Sequence, residues 1–282
     1  VKFSRLKVKI ALDNNSNDFV GNVTVNTNTI LQMNGTTVIP DASDVTVNGT
    51  LYFNSTGEAI DALNGNGIIQ IHPGVATSPN FTIGAGGGTG TFSGIIQNGG
   101  TGGAKVTLTK TGAGTQTLSG DLDYTNGTFV NGGTLRLAQG VGFPSAGATG
   151  QFGSAHTVTV NSGGVLEAGA SWVFGDGLAD RVVVNGGTLA FVGADNYLGN
   201  IDLTGGQITT SGGSRPWRTG NWGSGLITVN PSAASSTIAG SLSFVGTASA
   251  PTTTFNVADG AAADDLVVSA LISDHPGFEG QM

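Results

Sequence analysis

Apolar and polar positions alternate along this chain in short triplets. Val23-Thr24-Val25, Val45-Thr46-Val47, Val158-Thr159-Val160 and Ile227-Thr228-Val229 each place an apolar residue at the first and third positions. A period of two puts those side chains on one face of a β-strand, with the intervening Thr on the other. Most triplets end in Asn, then Gly or another small residue, then a second apolar pair. Val45 to Leu51, Thr128 to Leu135, Val158 to Leu166 and Val182 to Leu189 all follow this spelling, and Ile201-Asp202-Leu203-Thr204-Gly205-Gly206 is a variant of it. The copies beginning at Val158, Val182, Ile201 and Ile227 start 24, 19 and 26 residues apart. A repeat of that length with strand content is the size of one solenoid coil, in which inward residues of each coil stack on those of the next. Between Val45 and Thr128 the strands are spelled differently, as in Ile68-Ile69-Gln70-Ile71, Phe81-Thr82-Ile83, Val106-Thr107-Leu108 and Gln116-Thr117-Leu118.

Asn followed by Gly at a corner predicts positive φ there, as a tight bend requires. Asn-Gly is also the strongest hairpin signal. The connections here are variable in length, however, and no strands pair off regularly, so coils are preferred to hairpins. Helix signals are nearly absent. Ser55-Thr56-Gly57-Glu58 has a capping-box spelling. Only seven residues follow up to Gly65, and the stretch is read as a strand with Ile60 inward and Leu63 adjoining. The expected fold is all-β: a single right-handed parallel β-helix over 1–282 without significant helix, with 211–222 as a loop insertion.

Composition excludes several classes. Glycine is 49 of 282 residues, yet 38% of residues are hydrophobic, enough to bury a core rather than remain disordered. Glycine has no period of three, so collagen is excluded. The net charge of −8 argues against a nucleic-acid partner, because phosphate binding needs clustered Lys and Arg. Lys2, Arg5, Lys7 and Lys9 do cluster, but they read as the solvent side of an alternating strand. Cysteine is absent, which removes disulfides, thiolate metal sites and cysteine nucleophiles. No apolar run is long enough for a transmembrane helix.

One stretch carries a family resemblance. Leu108-Thr109-Lys110-Thr111-Gly112-Ala113-Gly114-Thr115-Gln116-Thr117-Leu118-Ser119-Gly120, followed by Tyr124-Thr125-Asn126-Gly127 and Val130-Asn131-Gly132-Gly133-Thr134-Leu135, resembles the autotransporter-associated β-strand repeat family. Gly90 to Ile96, Val45 to Ile71 and Phe255 to Ser273 resemble the lead-in strands of such a repeat. The resemblance implies a right-handed β-helix in a secreted or cell-surface passenger, with no catalytic residue to transfer. Together with the start at Val1, it leads to the expectation that the chain is a piece of a longer repeat protein.

Candidate chemistry is sparse. Asp264-Asp265 is the only adjacent acidic pair, and it reads as a corner. Asp121 and Asp123 share a strand face and have the oxygens for calcium, but they fit a solvated turn as well. His72, His156 and His275 have no metal-ligand spacing. No Gly-x-Ser-x-Gly elbow or phosphate loop is present. Residues 211–222 break the repeat with Arg215, Trp217, Arg218 and Trp222, and Trp172 lies two coils earlier. Trp beside Arg is the composition of a sugar- or protein-binding surface, and equally of a loop folded over the solenoid flank. The sequence therefore predicts a structural surface module such as a stalk, sheath or scaffold, without cofactor, metal or catalysis. Its expected partners are other repeats or chains stacking on open coil ends, and glycans or neighbouring surfaces. The rival readings are an adhesive module acting through Trp172, Arg215, Trp217, Arg218 and Trp222, and a polysaccharide-cleaving β-helix.

Overall fold

A computed structural model describes residues 8–139, 151–152, 156–174, 181–192, 196, 198, 200–211, 218–219, 225–244 and 253–274. The described residues contain strands and no helix, and every strand-to-strand ladder is parallel. The chain forms two compact units, 1–128 and 129–282.

In the first unit the chain visits three parallel sheets in rotation. A representative coil runs through Thr50–Phe53, Gly57–Ile60 and Leu63–Gly65, and the next begins at Ile68–Ile71. Each strand pairs with its counterpart one coil on: Thr50–Phe53 with Ile68–Ile71, and Gly57–Ile60 with Asn80–Ile83. The third side pairs Val45–Val47 with Leu63–Gly65. This is the parallel β-solenoid the alternation predicts. Inward residues line up in columns, as in Leu31, Leu51, Ile69, Ile96 and Leu122, all buried.

The second unit repeats the logic. Thr157–Asn161, Arg181–Asn185, Asn200–Thr204 and Gly225–Val229 form successive rungs of one sheet. Val158, Val182, Ile201 and Ile227 stack inward, as do Val160, Val184, Leu203 and Val229. A second sheet stacks Leu135, Leu166, Leu189, Ile208 and Ile238. Each fully buried residue of this kind contributes about 1.5–3 kcal/mol of transfer free energy. Outside the core, the corner Asn residues bond to one another: Asn161 Nδ2 donates to Asn131 Oδ1 at 2.7 Å, and Asn185 Nδ2 to Asn161 Oδ1 at 3.3 Å.

The Asn-Gly and Ser-Gly corners fall into two groups: Gly65, Gly99, Gly127, Gly163 and Gly186 have the positive φ that the sequence predicts, while a second set serves a different purpose. Gly49, Gly67, Gly94 and Gly120 are not among the positive-φ residues. They form a column in which each glycine sits against a carbonyl of the preceding coil: Gly67 on Gly49, Gly94 on Gly67, Gly120 on Gly94. A Cβ at any of them would lie within 3.0 Å of that oxygen, closer than real Cβ atoms come. The need at these corners is for space. Gly164, Gly187 and Gly206 make the same kind of approach in the second unit.

Candidate functional site

Polar side chains turned into the first unit hold the backbone where the regular ladder fails. Gln116 points inward and is 1% exposed. It lies in register with Gly90, and Gly90 has no side chain to fill the space above it. The Gln116 amide passes through that gap. Its Oε1 accepts the Leu63 N–H at 3.0 Å, and its Nε2 donates to the Leu63 carbonyl at 2.8 Å. Gln116 thus acts as a rung reaching back two coils. We expect Gln116→Leu to leave both Leu63 groups buried without that partner and to cost about 2 kcal/mol, read as a lowered urea midpoint at unchanged slope.

Lys110 continues the inward column of Ile60 and Ile83, where an apolar residue is the rule. Its stem is buried among them, and its ammonium turns to the corner, donating to the carbonyls of Thr111 and, at 3.1 Å, Gly112. Burial pushes the Lys110 amine below its ordinary value, while the nearby Asp61 carboxylate opposes that shift. Asp61 in turn accepts the amides of Gly86 at 3.0 Å and Gly88 at 2.6 Å, fastening the glycine-rich 84–88 turn. Tyr124 is fully buried, with its hydroxyl 2.6 Å from Thr128 Oγ1, and burial raises its phenol well above the usual range.

Glu58 is a further inward polar residue, 3% exposed at the column position that Phe81 and Leu108 occupy in later coils. Its Oε2 accepts the Val38 N–H at 3.0 Å. The Val38 segment has no strand on this side of the coil, so the carboxylate takes the place of a ladder partner. Burial, with the Asp41 charge adding to it, pushes the Glu58 carboxyl up to about 7 against the pull of backbone amides from Val38, Ile39 and Ala59.

The residues singled out for recognition fare unevenly. Trp172 is half-buried in a turn with φ of 63°, one of two non-glycine residues with positive φ among the described residues. Arg218 opens the short strand Arg218–Thr219, paired with Ser243 and Phe244. Arg215, Trp217 and Trp222 lie outside the described residues. His72 stands edge-on to Tyr52 at 5.2 Å, and buried His156 stacks on Phe152 at 4.3 Å. His275 is outside the described residues. Asp265 caps its own corner by accepting the Gly260 amide at 2.9 Å. Asp121 and Asp123 do share an exposed face, flanking buried Leu122. Among the described residues, no three His, Asp or Glu side chains gather as a metal site, and no helix is long and apolar enough to cross a membrane.

A different surface, which the sequence reading did not find, lies on the outward face of the second unit. Arg181, Asn200, Asp202, Leu226, Thr228 and Asn230 line an open groove of about 400 Å3. Arg181 Nη2 forms an ion pair with Asp202 across one coil step.

Parallel coils, glycine columns and side-chain rungs define a repeat solenoid whose recurrent residues hold coil to coil. Residues 108–137, which include Lys110, Gln116 and Tyr124, match the model of the passenger-associated-transport-repeat family. This is the stretch on which the resemblance to autotransporter passenger repeats rests. No curated protein and no solved structure matches the chain.

Proposed function

We propose that this chain is a structural module of a secreted, surface-displayed bacterial protein: a scaffold that extends by one strand spacing per coil. The observation that carries this reading is the use of the matched segment's polar side chains. Lys110, Gln116 and Tyr124 are all turned inward, where they bond to backbone groups or to a neighbouring hydroxyl. In this reading the chain performs no catalysis. Exposed Val8 and Ile10 on one outer strand, and Leu271 and Ile272 on another, are apolar edges on which further strands from this protein or a partner would stack.

The reading predicts that a whole coil is dispensable. Deleting 67–93 joins Asn66 to Gly94, and Gly94 then takes the place of Gly67 against the Gly49 carbonyl. Gly90 leaves with the deleted coil and Gln116 would then stand directly on Leu63, so the deletion is made together with Gln116→Leu. The shortened protein should keep a β-type circular dichroism spectrum and unfold cooperatively, as expected when the remaining repeats contact their neighbours. Deleting 67–80 removes half a coil and should give insoluble protein. Turnover of a polysaccharide by the intact chain, abolished by a single carboxylate substitution, would overturn the structural reading.

A further inference from the structure

The outward groove of the second unit joins three successive coils. Strands Arg181–Asn185, Asn200–Thr204 and Gly225–Val229 put Arg181, Asn200 and Leu226 in one row, and Asp202 and Thr228 in the row beside it. Neighbouring rungs stand about 4.8 Å apart, so the two rows offer a polar and apolar patch a few rungs long. Leu226 is 43% exposed on the last of the three rungs, and the Arg181 side chain on the first is 58% exposed. Asn230 closes one end, its Nδ2 donating to Thr204 Oγ1 at 3.2 Å.

The chemistry of this lining selects among ligands. The guanidinium of Arg181 brings donors and the carboxylate of Asp202 brings acceptors, held side by side by their ion pair. Adjacent hydroxyls on a ring offer the complementary pair, each able to donate and accept. Asn200 lies on the same rung as Asp202, and Thr228 on the next. Leu226 supplies an exposed apolar contact for the C–H face of a pyranose. An anionic ligand is disfavoured, because the Arg181 charge is already balanced by Asp202 and the chain carries a net −8. We propose that this groove is a binding subsite for a neutral oligosaccharide, seated with its ring face on Leu226 and its vicinal hydroxyls against the outer edge of the Arg181–Asp202 pair. The proposal adds a ligand to the scaffold reading and stands or falls independently of it, since the coil-deletion result depends on no residue of this groove.

The test is a calorimetric titration of the full chain with cellohexaose, laminarihexaose and maltohexaose, with a polygalacturonate hexamer as the anionic arm. Saturable binding of at least one neutral hexaose is expected. Leu226→Ala and Asp202→Asn should each weaken it roughly tenfold or more. Leu226 is exposed, so thermal unfolding of Leu226→Ala should move little. If Asp202→Asn destabilises the unit, Leu226→Ala decides the matter. Failure of all three neutral hexaoses to bind, binding undiminished in Leu226→Ala, or preference for polygalacturonate would each overturn the proposal. Loss of binding in Trp172→Ala with Leu226→Ala unaffected would place sugar recognition elsewhere.

Discussion

Gly94→Ala should cost about 3 kcal/mol or more and lower the melting temperature by roughly 10 °C, from a change of one methyl group. The added carbon would sit within 3.0 Å of the Gly67 carbonyl and of the Phe92 ring. That oxygen receives the Ile95 amide at 2.9 Å, so moving it away breaks the ladder that joins the two coils. Moving the Phe92 ring does not relieve the clash, because the nearest partner is backbone. Gly74 and Gly103 serve as controls. Both have positive φ, and a Cβ at either meets nothing within 4 Å. Alanine there incurs only left-handed backbone strain, about 1–2 kcal/mol. Thermal unfolding of the three variants should rank Gly94→Ala far below the other two. Equal losses at all three would mean that the glycine column matters for conformation and not for space.

Glu58→Gln should stabilise the protein by up to about 3 kcal/mol at pH 8 and have little effect near pH 5. The sign follows from linkage. The folded carboxyl titrates at about 7, above its ordinary 4.5, so the native state binds the proton more tightly than the unfolded chain. The stability due to this group is complete below 4.5, declines as pH rises through 7, and is then lost. Glutamine keeps an oxygen for the Val38 amide and has no charge to bury. Urea denaturation of both proteins at pH 5, 6.5 and 8 reads the difference directly. A gap that does not widen with pH would show that Glu58 is already ionised at little cost in the fold. Glu58→Leu separates charge from hydrogen bonding: it removes the acceptor and should be the least stable of the three at pH 5.

These two residues mark how far the sequence is legible. Val158 and Val160, Val182 and Val184, and their counterparts point inward as their alternation predicts, because period-two patterning is a local property. The Asn-Gly and Ser-Gly corners were also recognisable, but composition alone does not tell a glycine needed for φ from one needed for clearance. That distinction depends on what lies one coil away. Glu58 stands in a capping-box spelling within the strand Gly57–Ile60, yet nothing local says that its carboxylate turns inward. Gln116 and Leu63 are 53 residues apart, and only the register across Gly90 brings them together. The groove was illegible for the same reason: Arg181, Asn200 and Leu226 belong to three different coils. The Trp-rich stretch is conspicuous only by composition, in a chain with three Trp and ten Lys and Arg together. Trp172 and the Arg218 strand are described, while Arg215, Trp217 and Trp222 fall outside the described residues.

The Gln116 rung also has a consequence for the order of assembly. Most pairings in the first unit join a residue to one 18 to 29 positions away and can close as soon as the next coil is laid down. The bond between Gln116 and Leu63 waits until two coils have followed, and it closes only if both were counted correctly. A slip of one residue in either coil would turn the amide out to solvent and leave Leu63 without it. The rung therefore acts as a late checkpoint on register, completed after the strands it inspects have formed.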